Sequence, residues 1–327
     1  MKPYAFVLIC FVNLLVFEVY PQDIRVHDPV MIKERDRYYL FCTGMGISVF
    51  SSSDMKNWKK EKAVFDSAPA WAVDAIPGFK GHIWAPDISF NNDQYYLYYS
   101  VSAFGKNTSC IGVATNKTLD ATSPNYKWVD HGKVIQSVPG RDLWNAIDPN
   151  LAFDDEQNPW LTFGSFWSGM KLVKLKENLK EVAEPQEWYT ISKRTRDFKT
   201  DDRDAGEEGA VEAPFIFKKN GYYYLFVSFD FCCRGIKSNY KIVVGRSAKI
   251  QGPYLDRNGS RMDQGGGTIV VEGNVSWPGV GHNAVYTFDG IDYLVFHAYD
   301  AADEGKPKLK IETLMWDNNG WPVCQFN

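Results

Sequence analysis

The chain has 327 residues, of which 45% are hydrophobic, enough for one large domain or two with a sizeable core. Its net charge is only −4 and no basic patch stands out, which argues against nucleic acid as a partner. Aromatic residues make up 15%, with 11 Trp and 18 Tyr, a composition that suits β-strand cores and leaves rings for stacking on sugars.

The first element is a leader. Lys2 precedes an apolar run from Tyr4 to Phe17, long enough for a signal-peptide core and short for a spanning helix. Residues 1–22 are expected to be a signal peptide and 23–327 a single catalytic domain. No small-residue cleavage site stands near Tyr20–Asp23, so an uncleaved anchor is the alternative. Either way the folded part is expected outside the cytoplasm, secreted or periplasmic.

Beyond the leader, no apolar i, i+3, i+4 pattern persists past about twelve residues. Five similar units follow instead. They open with "HDPVMIKERDRYYLF" at His27, "APDISFNNDQYYLYYS" at Ala85, "IDPNLAFDDEQNPWLTFGS" at Ile147, "EAPFIFKKNGYYYLFVS" at Glu212 and "HNAVYTFDGIDYLVFHA" at His282. Each runs from a polar residue through a short apolar stretch and a polar turn into a Tyr- or Trp-rich strand, with further strands behind it. A unit of about four antiparallel strands repeated five times predicts an all-β, five-bladed β-propeller. Asp28, Asp87, Asp148, Glu212 and His282 then converge on the central channel from five blades. A lone acid before a strand most often caps a turn; four acids and a histidine in one ring are better explained by chemistry.

Several carboxyls around one channel, with aromatics nearby and no phosphate loop, point to glycoside hydrolysis. That reaction needs one carboxyl to protonate the leaving oxygen and another to activate water or attack. A third acid raises the proton donor's pKa by like-charge repulsion. There is no G-x-S-x-G motif and the chain has only five His, so a nucleophilic serine triad is not indicated. Cys10 lies in the leader. Cys42, Cys110, Cys232, Cys233 and Cys324 fit no zinc spacing. The adjacent Cys232 and Cys233 are either a vicinal disulfide or two ordinary thiols.

The segments "HDP", "HIWAPD", "WNAIDPN", "GSFWSG", "VEAPF", "FDFCCRG", "YKIVVGRS" and "GVGHN", in order from about His27 to Val323, resemble glycoside hydrolase family 43. The likeness is to its arabinanase branch, acting on α-1,5-linked L-arabinan. The resemblance implies a five-bladed propeller and an inverting mechanism. Asp28 would be the general base, Glu212 the general acid, and Asp148 the residue that raises and orients the acid. Asp87 would not be catalytic. Trp84 resembles a sugar-stacking residue, with core packing as the alternative. Phe104 and Gly105 match the loop beside the substrate, and Asn145, Ala146, Ile147, Ser165, Phe166 and Trp167 match substrate-contacting segments around Asp148, partly through backbone. Trp144 reads as a structural aromatic, and His27 as packing or as support for the base. His282 matches the ligand of a channel cation, often calcium. One imidazole is a poor calcium site, since calcium takes about six to eight oxygens; waters would have to complete the shell. The expected substrate is arabinan polysaccharide or oligosaccharide, met by a monomer. The competing expectations are a family β-xylosidase or exo-α-L-arabinofuranosidase, and a non-catalytic sugar-binding propeller. Family β-xylosidases often add a β-sandwich, for which this chain ends too early. Endo or exo cleavage depends on loop shape at the groove ends.

Overall fold

A computed structural model describes residues 23–194 and 209–326. The leader lies outside the described residues. Five antiparallel sheets follow one another along the chain. Blade one is built from Val30–Glu34, Arg37–Cys42, Ser48–Ser52 and Lys59–Lys60. Blade two is His82–Asn91, Gln94–Ser102, Ser109–Asn116 and Val129–Ser137, with Gly44–Met45 added at its inner edge. Blade three is Asn150–Phe153, Pro159–Phe163, Met170–Lys174 and Trp188–Ser192. Blade four is Val211–Lys219, Tyr222–Phe229, Lys241–Ser247 and Thr268–Glu272. Blade five is Val280–Phe288, Ile291–Asp300, Lys306–Trp316 and Pro322–Cys324. The first strands of consecutive blades contact one another all the way round, blade five against blade one. This is the expected five-bladed propeller. The segment before blade one closes the ring: Leu309 N–H donates to Ile24 C=O and Val26 N–H to Pro307 C=O.

The second strands show why the aromatic runs recur. In "QYYLYYSVS" every residue from Tyr95 to Ser102 is buried. Tyr95, Leu97 and Tyr99 face a core shared with Phe41 and Val49 of blade one. Tyr96 and Tyr98 face Leu151, Leu161 and Phe163 of blade three. Side chains alternate across a strand, so a strand between two blades must be apolar on both faces. In blade four, Tyr224 and Phe226 point one way and Tyr223, Leu225 and Val227 the other. Each such ring removes about 150–250 Å² from water, which makes these inter-blade layers the main source of stability. The one α-helix among the described residues is Ala70–Ala75.

One local device sets the channel. Asp28, Ala85, Asp148, Ala213 and His282 all have φ between 42° and 57°. L-residues rarely adopt this left-handed conformation. The strand register shifts at this point in blades two, four and five. Four of the five are followed by proline: Pro29, Pro86, Pro149 and Pro214. Proline has no N–H to leave unpaired where a ladder breaks. The Pro after Glu212–Ala213 therefore marks a bulge that turns the start of the strand toward the channel.

Candidate active site

The bulge corrects the sequence alignment. The left-handed position holds Asp28, Ala85, Asp148, Ala213 and His282, so Asp87 stands two residues after its blade's bulge residue and Glu212 one before. The five polar residues share a ring but not a register. Each bulge residue's N–H is tied to the blade before it. Ala85 donates to Thr43 Oγ1 at 2.8 Å, Asp148 to Ser100 Oγ at 3.0 Å, His282 to Ser228 Oγ at 2.8 Å and Asp28 to His297 Nδ1 at 3.2 Å. Blade three has Gly164 at the position of Ser100 and Ser228. There the Ala213 N–H donates to Asp148 Oδ2 instead, at 3.1 Å.

Asp28 is buried and its carboxyl is surrounded by donors. Oδ2 accepts from Thr43 Oγ1 at 2.5 Å, and Oδ1 lies 2.8 Å from His27 Nδ1 and 2.9 Å from His282 Nδ1. Burial opposes ionisation of Asp28, but His27 and His282 outweigh it and hold the carboxyl well below the usual range. Asp148 is the reverse case. Burial pushes it well above the usual carboxyl range, His282 opposes, and the charges of Glu212 and Asp28 add to the rise. Glu212 is half-buried and gripped at both oxygens: Oε1 accepts from Tyr240 OH at 2.7 Å and Oε2 from Ser165 Oγ at 2.9 Å. Burial and the nearby Glu212 and Asp148 charges keep the Tyr240 hydroxyl protonated. His282 is pushed up to about 9: burial disfavours its charge, but Asp28 and Asp148 more than compensate. Asp28 and His282 are thus each biased toward the charged form and Asp148 toward the neutral one.

Asp87 plays a different part. Its Oδ1 accepts from Asn150 Nδ2 at 3.1 Å and its Oδ2 from Leu151 N–H at 2.8 Å, while Asn150 Oδ1 accepts from Ile216 N–H at 2.9 Å. These bonds staple blades two, three and four, and burial raises Asp87 to about 6. Its two oxygens are committed to the scaffold.

The rim residues divide by exposure. Phe104 is 78% exposed on the loop after Gln94–Ser102, and Gly105 beside it has φ 72° with open space around it. Trp84 is half-buried, and its indole N–H is committed to His82 Nδ1 at 2.9 Å. Phe166 packs 6.0 Å from Phe231, over which the Arg234 guanidinium sits at 3.9 Å. Asn145 and Ile147 are buried at the channel wall, with Asn145 Oδ1 accepting from Ser109 Oγ. Ala146 and Trp167, 0% and 2% exposed as whole residues, present almost no surface to the channel or the rim. Trp144 packs on Phe163 and Trp188, a structural aromatic as read. Cys232 and Cys233 are joined as a vicinal disulfide.

Sequence reasoning missed Thr43, Tyr240, His297 and Tyr299. Thr43, Ser100, Ser228 and His297 stand at one repeated position, late in the second strand or just past it and one or two residues after an aromatic of the run. That column was a readable signal. Tyr240 and Tyr299 carried none, since nothing distinguishes them from the core tyrosines.

The profile of glycosyl hydrolases family 43 matches residues 22–322. The chain belongs to this family. It is 55% identical over 301 residues to the extracellular exo-α-(1→5)-L-arabinofuranosidase ArbA of Cellvibrio japonicus, covering 92% of this chain and 86% of that protein. It is 46% identical over 302 residues to the extracellular endo-α-(1→5)-L-arabinanase 1 of Bacillus subtilis, covering 91% and 87%. Its fold superposes on the Cellvibrio cellulosa α-L-arabinanase complexed with arabinohexaose with a TM-score of 0.91 and 54% identity, covering 93% and 96%. As a family 43 member the protein is a glycoside hydrolase.

Proposed function

We propose that this family 43 enzyme hydrolyses α-1,5-L-arabinofuranosyl bonds of arabinan or its oligosaccharides with inversion, acting as a monomer outside the cytoplasm. In this reading residues 1–22 are a signal peptide and 23–327 the catalytic propeller. Relatives named for both endo and exo attack on this linkage match 91–92% of the chain, so the linkage is common ground and the site of attack is read from products.

The observation that carries the mechanism is the contrast between the carboxyls. Asp28 is kept ionised by two imidazoles and a hydroxyl, the state a general base needs. Glu212 is aimed by Ser165 and Tyr240 and stands beside Asp148, which retains its proton beyond the usual range. Glu212, held at both oxygens, is the carboxyl placed to give the leaving oxygen its proton. Asp28 would take a proton from water while Glu212 gives one to the departing sugar. Phe104, Trp84 and Phe166 supply apolar surface at the rim for the sugar faces. Incubating the protein with linear arabinan and following product sizes over time tests the activity.

The channel residues also fit a mostly hydrated cation at His282, but not a protein-built calcium cage. Its Nδ1 is taken by Asp28, which leaves Nε2 as the one ligand atom. The adjacent Asn283 is buried with both side-chain polar atoms unpartnered among the described residues, so the channel has polar capacity for ordered water or a hydrated ion. Such an ion, calcium or another, would supply positive charge in place of the His282 proton, favouring ionised Asp28.

A further inference from the structure

The vicinal disulfide touches the base through a short chain of groups. Tyr299 OH lies 2.8 Å from His27 Nε2 and accepts the Cys233 backbone N–H at 2.8 Å. The Tyr299 hydroxyl proton has two acceptors in reach, His27 Nε2 and Cys233 Sγ at 3.8 Å. His27 Nδ1, facing the Asp28 carboxylate, carries the ring proton and donates it to Oδ1 at 2.8 Å. A histidine that gives Nδ1–H to a carboxylate and presents an Nε2 lone pair is oriented in the way metal-binding histidines are.

What Nε2 faces is sulfur. Cys233 Sγ lies 3.7 Å away, and one atom from each of His27, Cys232 and Cys233 falls within 4.8 Å of the others. A tetrahedral zinc with Zn–S near 2.3 Å and Zn–N near 2.05 Å requires an N···S separation of ~3.6 Å. Cys233 is exposed, and Cys232 and His27 are half-buried, so an ion has access and water has a fourth position.

We propose that reduction of the Cys232–Cys233 bond opens a site for a thiophilic divalent cation such as zinc, with both thiolates and His27 Nε2 as ligands, and that filling it inhibits the enzyme. The reductant is a phosphine or a dithiol. With a phosphine, the S–S bond breaks, phosphorus takes the oxygen of one water to become phosphine oxide, and that water's two protons go to the two sulfurs. Zinc then displaces both thiol protons. Disulfide sulfur is a poor donor, so the oxidised enzyme does not bind the ion. This site is chemically separate from the one at His282, because soft sulfur selects zinc-like cations and an oxygen-rich hydrated shell selects calcium-like ones. The inhibition rests on the reading of Asp28 as base: a cation on Nε2 turns His27 into a stronger donor to the carboxylate that must receive water's proton, and ends the Tyr299 contact.

The test uses the full protein reduced with excess phosphine under argon, with the reductant removed, beside the oxidised protein and a Cys232→Ser/Cys233→Ser variant. Thiol titration should show two more thiols after reduction, and a fold resistant to excess phosphine would end the proposal. Zinc chloride titrated against a chromophoric chelator should find one tight zinc on the reduced protein and none on the other two. Binding no tighter than the double-serine variant overturns the site. Arabinan hydrolysis by the reduced enzyme should fall at least tenfold with one equivalent of zinc and recover with a zinc-selective chelator. Zinc bound with activity unchanged overturns the link to Asp28. Since occupancy is measured without turnover, that failure is distinct from failure of the base assignment, which Asp28→Asn reads.

Discussion

Thr43→Val swaps one hydroxyl for a methyl of the same shape and cuts two bonds at once. Thr43 Oγ1 donates to Asp28 Oδ2 at 2.5 Å and accepts the N–H of Ala85 at 2.8 Å. A hydrogen bond to a charged group is worth about 1.5–3 kcal/mol. Losing it disfavours ionised Asp28, and at 1.36 kcal/mol per unit this raises its pKa by about one to two units. Asp28 is depressed in the folded protein, so its stabilising charge is present above the unfolded carboxyl pKa and is lost as pH falls through the folded value. In Thr43→Val the folded value lies higher, so the contribution is smaller and its loss is complete at higher pH. Ala85 is 1% exposed, and its orphaned N–H costs about 1–3 kcal/mol more, at about 2–4 °C of Tm per kcal/mol in larger domains. The assays are kcat/KM against pH and thermal melts from pH 3 to 8. The acid limb should move up by one to two pH units, and Thr43→Ser should restore it. An acid limb and a Tm both unchanged in Thr43→Val would refute the argument that Thr43 helps hold Asp28 ionised.

Asp28→Asn, Asp148→Asn and Glu212→Gln should each melt cooperatively and lose about 10²–10⁴-fold in kcat; wild-type turnover removes that residue from the mechanism. His282 is raised to about 9 from an unfolded 6.5, so its contribution to stability is whole below about pH 6.5 and is lost as pH rises through 9. In chelator, with no cation bound, the wild type should therefore lose more Tm between pH 7 and 10 than His282→Gln, and parallel curves would contradict the raised value. Metal analysis of the purified protein should find a cation that His282→Ala lacks, and chelation should alter the pH profile of the wild type alone; a metal-free, chelator-indifferent wild type makes His282 a purely structural imidazolium.

The blades were legible because their signals are local. A run such as Tyr222–Val227 after an Asn220–Gly221 turn says strand, and burial on both faces explains why it is apolar from Tyr223 to Val227. The carboxyls at the channel mouth were legible as a ring from the repeat, and as distinct roles only from the family resemblance. Their register was not legible, because it depends on left-handed backbone at Ala85 and Ala213, and alanine does not advertise that conformation. The groups that tune Asp28 were hidden by distance along the chain: Tyr299 reaches His27 across 272 residues. Trp167 was placed in a substrate-contacting segment by the family resemblance, and its burial at 2% exposure is not something its sequence context announces.

The central claim is inverting hydrolysis of an α-1,5-arabinofuranosyl bond by Asp28 and Glu212. The most direct test is proton NMR of the first sugars released from linear arabinan, recorded before the anomers equilibrate. Inversion puts water on the face opposite the leaving oxygen, so the β anomer should appear first and the α anomer grow in later. An initial α anomer would contradict the account.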